Sequence, residues 1–304
     1  MWVVAALVGP VYASGISASW GWRWALVVYL PVLIAARAVM AGQIHDLRLD
    51  EETDHDETVP WLPALAMASG VALIGALRAS SPWFWPGVGV GTALVLWSCS
   101  YVLPDGTLRL VPGRRAGIAT LLWVCAFFLT LDYLVAPSAH DVLGLTPTQT
   151  GWALTAGGIG WSAVAIACGA RPAREPQAYR RRTMLATVFF VVGTMLMVVT
   201  VLEKADWWGL PVGYGVASIG MGLTHLDTMN RIVTDPVEPD GITHAQAATA
   251  VTIAGAAGGA VLGTATTAFV APAAAGVEPG RLWPTLFLLA VGLLLTPLLA
   301  RRAA

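Results

Sequence analysis

The chain has 304 residues, 57% of them hydrophobic and only 12% charged, where ordinary globular chains carry about 25% charged residues. With a mean hydropathy of +0.69, most of its surface is built for lipid, which excludes a soluble enzyme. The net charge of −1 provides no basic field for nucleic acid. Cys99, Cys125 and Cys168 lie far apart in apolar runs, so they form no disulfide framework and no CxxC metal pattern; they read as small buried hydrophobes.

A membrane-crossing helix needs about 20 apolar residues. Apolar runs bounded by polar, Pro or Gly residues predict ten spans, at 2–19, 22–41, 61–79, 82–103, 116–136, 148–170, 183–202, 207–230, 243–270 and 281–300. The fold class is therefore an all-α polytopic membrane protein. The first run lacks a basic leader region and a second span follows at once, so it reads as a span and not a signal peptide. An even number puts both termini on one side. With that side in the cytoplasm, thirteen of the 17 basic residues are internal, and only Arg23, Arg78, Lys204 and Arg281 are external, as the positive-inside rule requires. Trp20, Trp22, Trp24, Trp61, Trp83, Trp85, Trp207, Trp208 and Trp283 fall at span ends, where an aromatic belt belongs.

The long polar segment 42–60 contains His45, Asp46 and the run from Asp50 to Glu57. It reads as a solvated acidic cytoplasmic linker. Two histidines among carboxylates are the alternative, a metal site, and we assign none.

The last six spans follow a pattern. The third and sixth of them, 183–202 and 281–300, are almost purely Val, Leu, Phe and Met, as lipid-facing helices are. The other four carry polar or small residues: Thr120, Thr130, Asp132 and Tyr133; Trp152, Thr155, Gly157, Gly158 and Trp161; Tyr214, Ser218, His225 and Asp227; and His244, Gln246, Thr249 and Thr252. Polar groups at membrane depth face a bundle interior or a wet cavity. The pattern predicts a six-helix bundle over 104–304, built as three plus three, with one wall of a polar cavity. Gly255, Gly259 and Gly263 form a small-residue ridge for close helix packing. Thr146, Pro147 and Gln149 mark a helix start with Thr as N-cap, Pro at N1 and Gln at N3.

Gly9-Pro10 in an apolar helix, then Ala13, Ser14 and Gly15, then Trp22-Arg23-Trp24 and Pro31, resemble the fifth and sixth helices of major facilitator superfamily transporters, in particular the 14-span drug/proton antiporter-like branch. Gly9 and Pro10 stand where that branch has its antiporter motif, although Ala5 and Ala13-Ser14 replace expected glycines. Pro104 to Arg109, Leu145 to Gly151, Gly220 to Leu223 and the basic segment Arg171 to Arg182 resemble successive landmarks of the family's C-terminal domain; His225-Leu226-Asp227 departs from it. The resemblance implies that 1–41 are the last two helices of an N-terminal bundle whose first four are missing, and that 61–103 are the two extra central helices. It implies proton-coupled export of a small amphiphilic, drug-like molecule from a plasma (inner) membrane, by a chain incomplete as given. The missing N-terminal segment or a second copy would then be a partner, beside the substrate, the proton gradient and the bilayer. No cofactor is implied.

Asp132 is the one acid well inside a predicted span. It is a candidate proton carrier, or else a structural acid hydrogen-bonded to Thr130 or to backbone. His225 and Asp227, two residues apart and so on different faces, are candidates for coupling, or else form an interfacial hydrogen-bonded group with Arg231. Tyr133, Trp152, Thr155, Trp161 and Tyr214 are candidate cavity-lining residues, with helix packing as the alternative. Enzyme classes find no support, since the chain has no H-E-x-x-H, no G-K-[ST] and no G-x-S-x-G. The competing function is a non-transporting membrane remnant or interaction protein. The orientation has a direct check: a cysteine placed at Gln177 should react with impermeant thiol reagents only from the cytoplasmic side, and reaction from outside would reverse it.

Overall fold

The computed structural model describes residues 2–45, 60–234, 236, 239–271 and 276–304; the acidic run 46–59, with the linker and metal-site readings attached to it, lies outside them. The regular elements among the described residues are helices: α1 (Trp2–Trp20), α2 (Trp22–His45), α3 (Trp61–Ala76), α4 (Phe84–Val102), α5 (Arg114–Pro137), α6 (Pro147–Ala170), α7 (Pro176–Leu202), α8 (Gly209–Val233), α9 (His244–Val270), α10 (Pro279–Leu293) and α11 (Thr296–Ala303). Six stretches are long and apolar enough to cross a membrane: Trp22–Gly42, Arg114–Val142, Pro147–Ala170, Pro176–Leu202, His244–Val270 and Pro279–Ala303. The ten spans predicted from sequence are not all reached on this measure. Helix α3 has only 16 residues, and α8 interleaves glycines with Thr224, His225 and Asp227.

Two boundaries differ from expectation. The chain does not leave the helix at 137, because α5 runs on into a π-helical turn, Ser138–Val142. The last span is not one helix. Pro297 has no N–H to donate and its ring obstructs the preceding turn; the chain tightens there through Leu294 N–H to Val291 O and Leu295 N–H to Gly292 O, both 3.1 Å, and α11 restarts at Thr296. The start of α6 is as predicted: Thr146 caps it and Gln149 returns the bond.

Helix α5 lies at the centre, with Ile118, Leu121, Val124, Phe128, Leu131, Leu134 and Val135 all buried. Glycines let its neighbours approach. Side-chain atoms added at Gly193 of α7 would strike the α8 backbone at Gly213 and Ala217. At Gly220 they would lie 2.7 Å from Ala186 O of α7. Gly160 and Gly222 do the same between α6 and α8, meeting Gly215 and Trp161 backbone. On α9 the ridge is shifted from the predicted one: Gly258, Gly259 and Gly263 meet Ala126, Leu129 and Tyr133 of α5, while nothing lies within 4 Å of Gly255. Their contact order shows that α5 and α9 run parallel, as do α6 and α8, whereas α7 is antiparallel to α8. Helices α3 and α4 form a hairpin closed at Gly70 and Gly91, each within 2.6 Å of the other's carbonyl if a Cβ were present, with Ser98 donating to Pro63 O at 2.6 Å. This hairpin rests on α9, and α1 rests on α6. Helix α2 touches α1, and no residue of its membrane-length stretch is buried.

The open site at Gly255 is an internal control for the packed ones. Gly193→Ala should lower stability in mixed-micelle unfolding by about 1–3 kcal/mol, the usual cost of overpacking. Gly255→Ala should leave stability unchanged or raise it slightly, because alanine is the better helix former.

Candidate functional site

Asp132 is half-buried near the far end of α5, and its carboxylate accepts a hydrogen bond from Tyr214 Oη of α8 at 2.5 Å. Among the described residues Tyr214 is its only hydrogen-bond partner. Thr130 is not one: its hydroxyl donates to Ala126 O at 2.6 Å in its own helix. The structural-acid reading therefore changes partner, from a neighbour in sequence to a tyrosine 82 residues away.

Tyr214 is held from three sides. It is 4% exposed, its ring stacks on Phe128 at 5.9 Å and 16°, and Gly157 of α6 leaves the room its ring edge occupies. From there a row of rings crosses the bundle. Phe128 meets Trp161 edge-on at 5.8 Å, and Trp161 meets His225 edge-on at 5.4 Å. Offset and edge-to-face contacts are the favoured aromatic geometries. Asp132 and His225 thus stand at the two ends of one connected row, Asp132–Tyr214–Phe128–Trp161–His225.

The remaining predicted residues fall on other surfaces. Trp152 is 52% exposed on the outside of α6. Thr155 of the same helix is buried, and its hydroxyl has no hydrogen-bond partner among the described residues. Tyr133 faces α9 and lines a lateral groove. The five residues predicted to share one cavity therefore divide: Tyr214 and Trp161 belong to the aromatic row, and Tyr133, Trp152 and Thr155 do not. Pro10 and Ser14 of α1 contact α6 at Gly151, whereas Gly9 has no neighbour within 4 Å of its missing side chain.

Asp227 points away from His225. It is 2% exposed, accepts from Arg182 at 2.7 Å and from the Ala173 N–H at 3.1 Å, and so pins the 171–175 turn between α6 and α7. Arg182 also donates to Arg171 O. Among the described residues Asp227 and Arg231 share no direct hydrogen bond, but both bond to Ala173, so the expected grouping is indirect. Arg231 instead lies 4.4 Å over the Tyr179 ring and donates to Ala173 O and Arg174 O, while Tyr179 and Thr228 hydroxyls are 2.9 Å apart. A second network at the same end joins Arg114 to Ile232 O, Asp240 and Ile242 O, and Arg115 to Asp105 O and Asp240 O. Of the basic residues predicted to share one side, Arg114, Arg115, Arg182 and Arg231 gather at this end. Among the described residues no group of three or more His, Cys, Asp or Glu side chains forms a metal site.

Sequence reasoning missed Phe128, although it lies one helical turn before Asp132, and the pairing of Arg182 with Asp227, for which spacing gives no signal. It also missed that Thr243 and Gln246 repeat at α9 the capping box of α6, a signal visible in the sequence. Comparison with protein-family models finds no match to this chain, and neither does comparison with curated proteins.

Chemically, the Asp132 carboxylate receives one charge-assisted hydrogen bond inside a bundle where an unpaired charge is costly. A proton added to it would convert an acceptor into a donor and alter its bond to α8. The Asp227 network holds helix ends together, with both carboxylate oxygens engaged by Ala173 N–H and Arg182. Removing it should be structural: Asp227→Ala should cost about 3–5 kcal/mol, as breaking a buried ion pair does, and should speed tryptic cleavage after Arg174 by loosening the 171–175 turn.

Proposed function

We propose that this chain is a secondary active transporter of the major facilitator type, exporting a small amphiphilic molecule in exchange for protons. The observation that carries the proposal is Asp132 within a candidate span, bonded across the bundle to Tyr214. A single protonatable group joining α5 to α8 is what proton coupling requires, since gain or loss of the proton changes how strongly the two helices are held. His225 is the candidate at the far end of the aromatic row.

The three-plus-three reading has two supports. Exchanging α5, α6 and α7 for α8, α9 and α10–α11 maps the principal contacts onto one another: α5 with α9 onto α8 with α6, and α7 with α8 onto α10–α11 with α5. The equivalent helices α6 and α9 also start with the same Thr-x-x-Gln box. Inverted repeats of this kind place the working site at their interface, where Asp132 and Tyr214 meet. We read α1, with Pro10 and Ser14 against Gly151, as the contribution of the preceding bundle. The close seating of Tyr214 against Phe128 and Gly157 favours a second reading, in which the row is packing and the chain is a non-transporting membrane protein.

Reconstituted 304-residue protein, assayed in liposomes under a proton gradient against a panel of amphiphilic drugs, distinguishes the two. Saturable, gradient-dependent transport would support the transporter reading and would overturn the expectation that the chain is incomplete as given. Asp132→Asn should abolish it while the protein remains folded, and Tyr214→Phe should reduce it by about tenfold, the worth of one hydrogen bond to a charged group. No transport of any panel member, alone or with a separately supplied N-terminal bundle, favours the second reading, and undiminished transport by Asp132→Asn removes Asp132 from the mechanism.

A further inference from the structure

A lateral groove of about 540 Å³ opens between the α3–α4 hairpin and the α5–α9 pair, within the roughly 300–1,000 Å³ range of small-ligand sites. Gly75, Leu77, Ala268 and Ala271 supply apolar or featureless wall, and Tyr133, Thr264, Thr267 and Arg78 supply the polar groups. Each of these four can donate a hydrogen bond and no acid lines the groove, so its chemistry suits an anion. The Arg78 side chain is exposed and has no hydrogen-bond or ion-pair partner among the described residues. The nearby Arg281, by contrast, is occupied: it pairs with Glu278 at 2.7 Å and lies over Phe269 at 5.2 Å.

The position also matters. Arg78, Tyr133 and Ala271 all lie at the end of the bundle opposite the two arginine networks. Trp83 and Trp85, 71% and 67% exposed, stand just beyond Arg78, and Trp85 packs on Phe269 of α9 at 5.8 Å. Exposed tryptophans mark the headgroup level of a bilayer. The groove therefore places a free cation and hydroxyls at headgroup depth, with an apolar wall running along the helices below. The opening persists because Gly75 has no side chain: a Cβ there would already lie 3.3 Å from the Thr264 methyl.

We propose that this groove binds an anionic phospholipid of the surrounding leaflet, its phosphate on Arg78 and its glycerol region against Tyr133, Thr264 and Thr267, bracing the hairpin against the bundle. The proposal rests on membrane placement alone and is independent of transport.

The test uses the full chain in nanodiscs of phosphatidylcholine, with phosphatidylglycerol titrated in and retained lipid read by native mass spectrometry. Wild-type protein should retain phosphatidylglycerol selectively. Arg78→Gln should weaken that selectivity by about tenfold or more, as loss of a charged hydrogen-bond donor does. Gly75→Leu, which fills the groove and keeps the charge, should weaken it too. Arg23→Gln, an exposed arginine on α2, should leave it intact. Equal retention by wild type and Arg78→Gln, or loss in Arg23→Gln to the same degree, would overturn the proposal. So would displacement of the lipid by millimolar inorganic phosphate, which would make the site one for a free anion, or by a single-chain alkyl sulfate at concentrations that leave bulk lipid in place, which would make it one for a soluble amphiphile.

Discussion

Backbone-to-backbone approach at glycines is the constraint on which the rest of this bundle depends. In lipid, burying one apolar side chain against another gains little, because the acyl chains it leaves are equally apolar; close packing and polar contacts must hold helices together. Helix α8 meets this condition on two sides, with Gly213 and Gly220 toward α7 and Gly215 and Gly222 toward α6. The close seating of α8 is what brings Tyr214 within hydrogen-bond reach of Asp132. Gly157 belongs to the same constraint, since a side chain there would occupy the space of the tyrosine ring.

Polar satisfaction is distributed unevenly between the two ends of the bundle. At one end, Arg182, Asp227, Arg231 and Tyr179 form one buried network, and Arg114, Arg115 and Asp240 form another. Together they tie α5, α7, α8 and the turns at 171–175 and 240–242. A few polar atoms are still left over, including Arg114 Nη2 and Arg231 Nε. At the other end, ties are fewer: Asp141 accepts from the Val277 N–H, and Arg281 caps α9 at Phe269 O. One end is cross-braced by charge, and the other is joined mainly by apolar contact.

What was legible in the sequence follows a physical rule. Helices, and the sharp start of α6, were readable because span length and capping depend on neighbours in the chain. Asp132 was readable because an acid within an apolar run is exceptional wherever it points. Its partner was not readable, since the rotation of α8 about its axis is set by which glycines meet which backbone, and no spacing reports that. The same holds for the ridge on α9. A four-residue period included Gly255 and omitted Gly258, yet the face turned toward α5 carries Gly258, Gly259 and Gly263. The break before α11 was written in Pro297, but the strongly apolar run around it outweighed a single proline.

The serial attachment of the first two helices has a consequence for how the protein is made. Among the described residues helix α2 packs chiefly on α1, and α1 finds its seat on α6, whose Gly151 receives Pro10 and Ser14. A ribosome adding about 5–20 residues per second needs on the order of ten seconds to pass from α2 to the end of α6. For that interval the α1–α2 pair is without the α6 surface on which α1 rests. The seating of α1 on α6 therefore waits on synthesis, because its docking surface lies more than a hundred residues further along the chain.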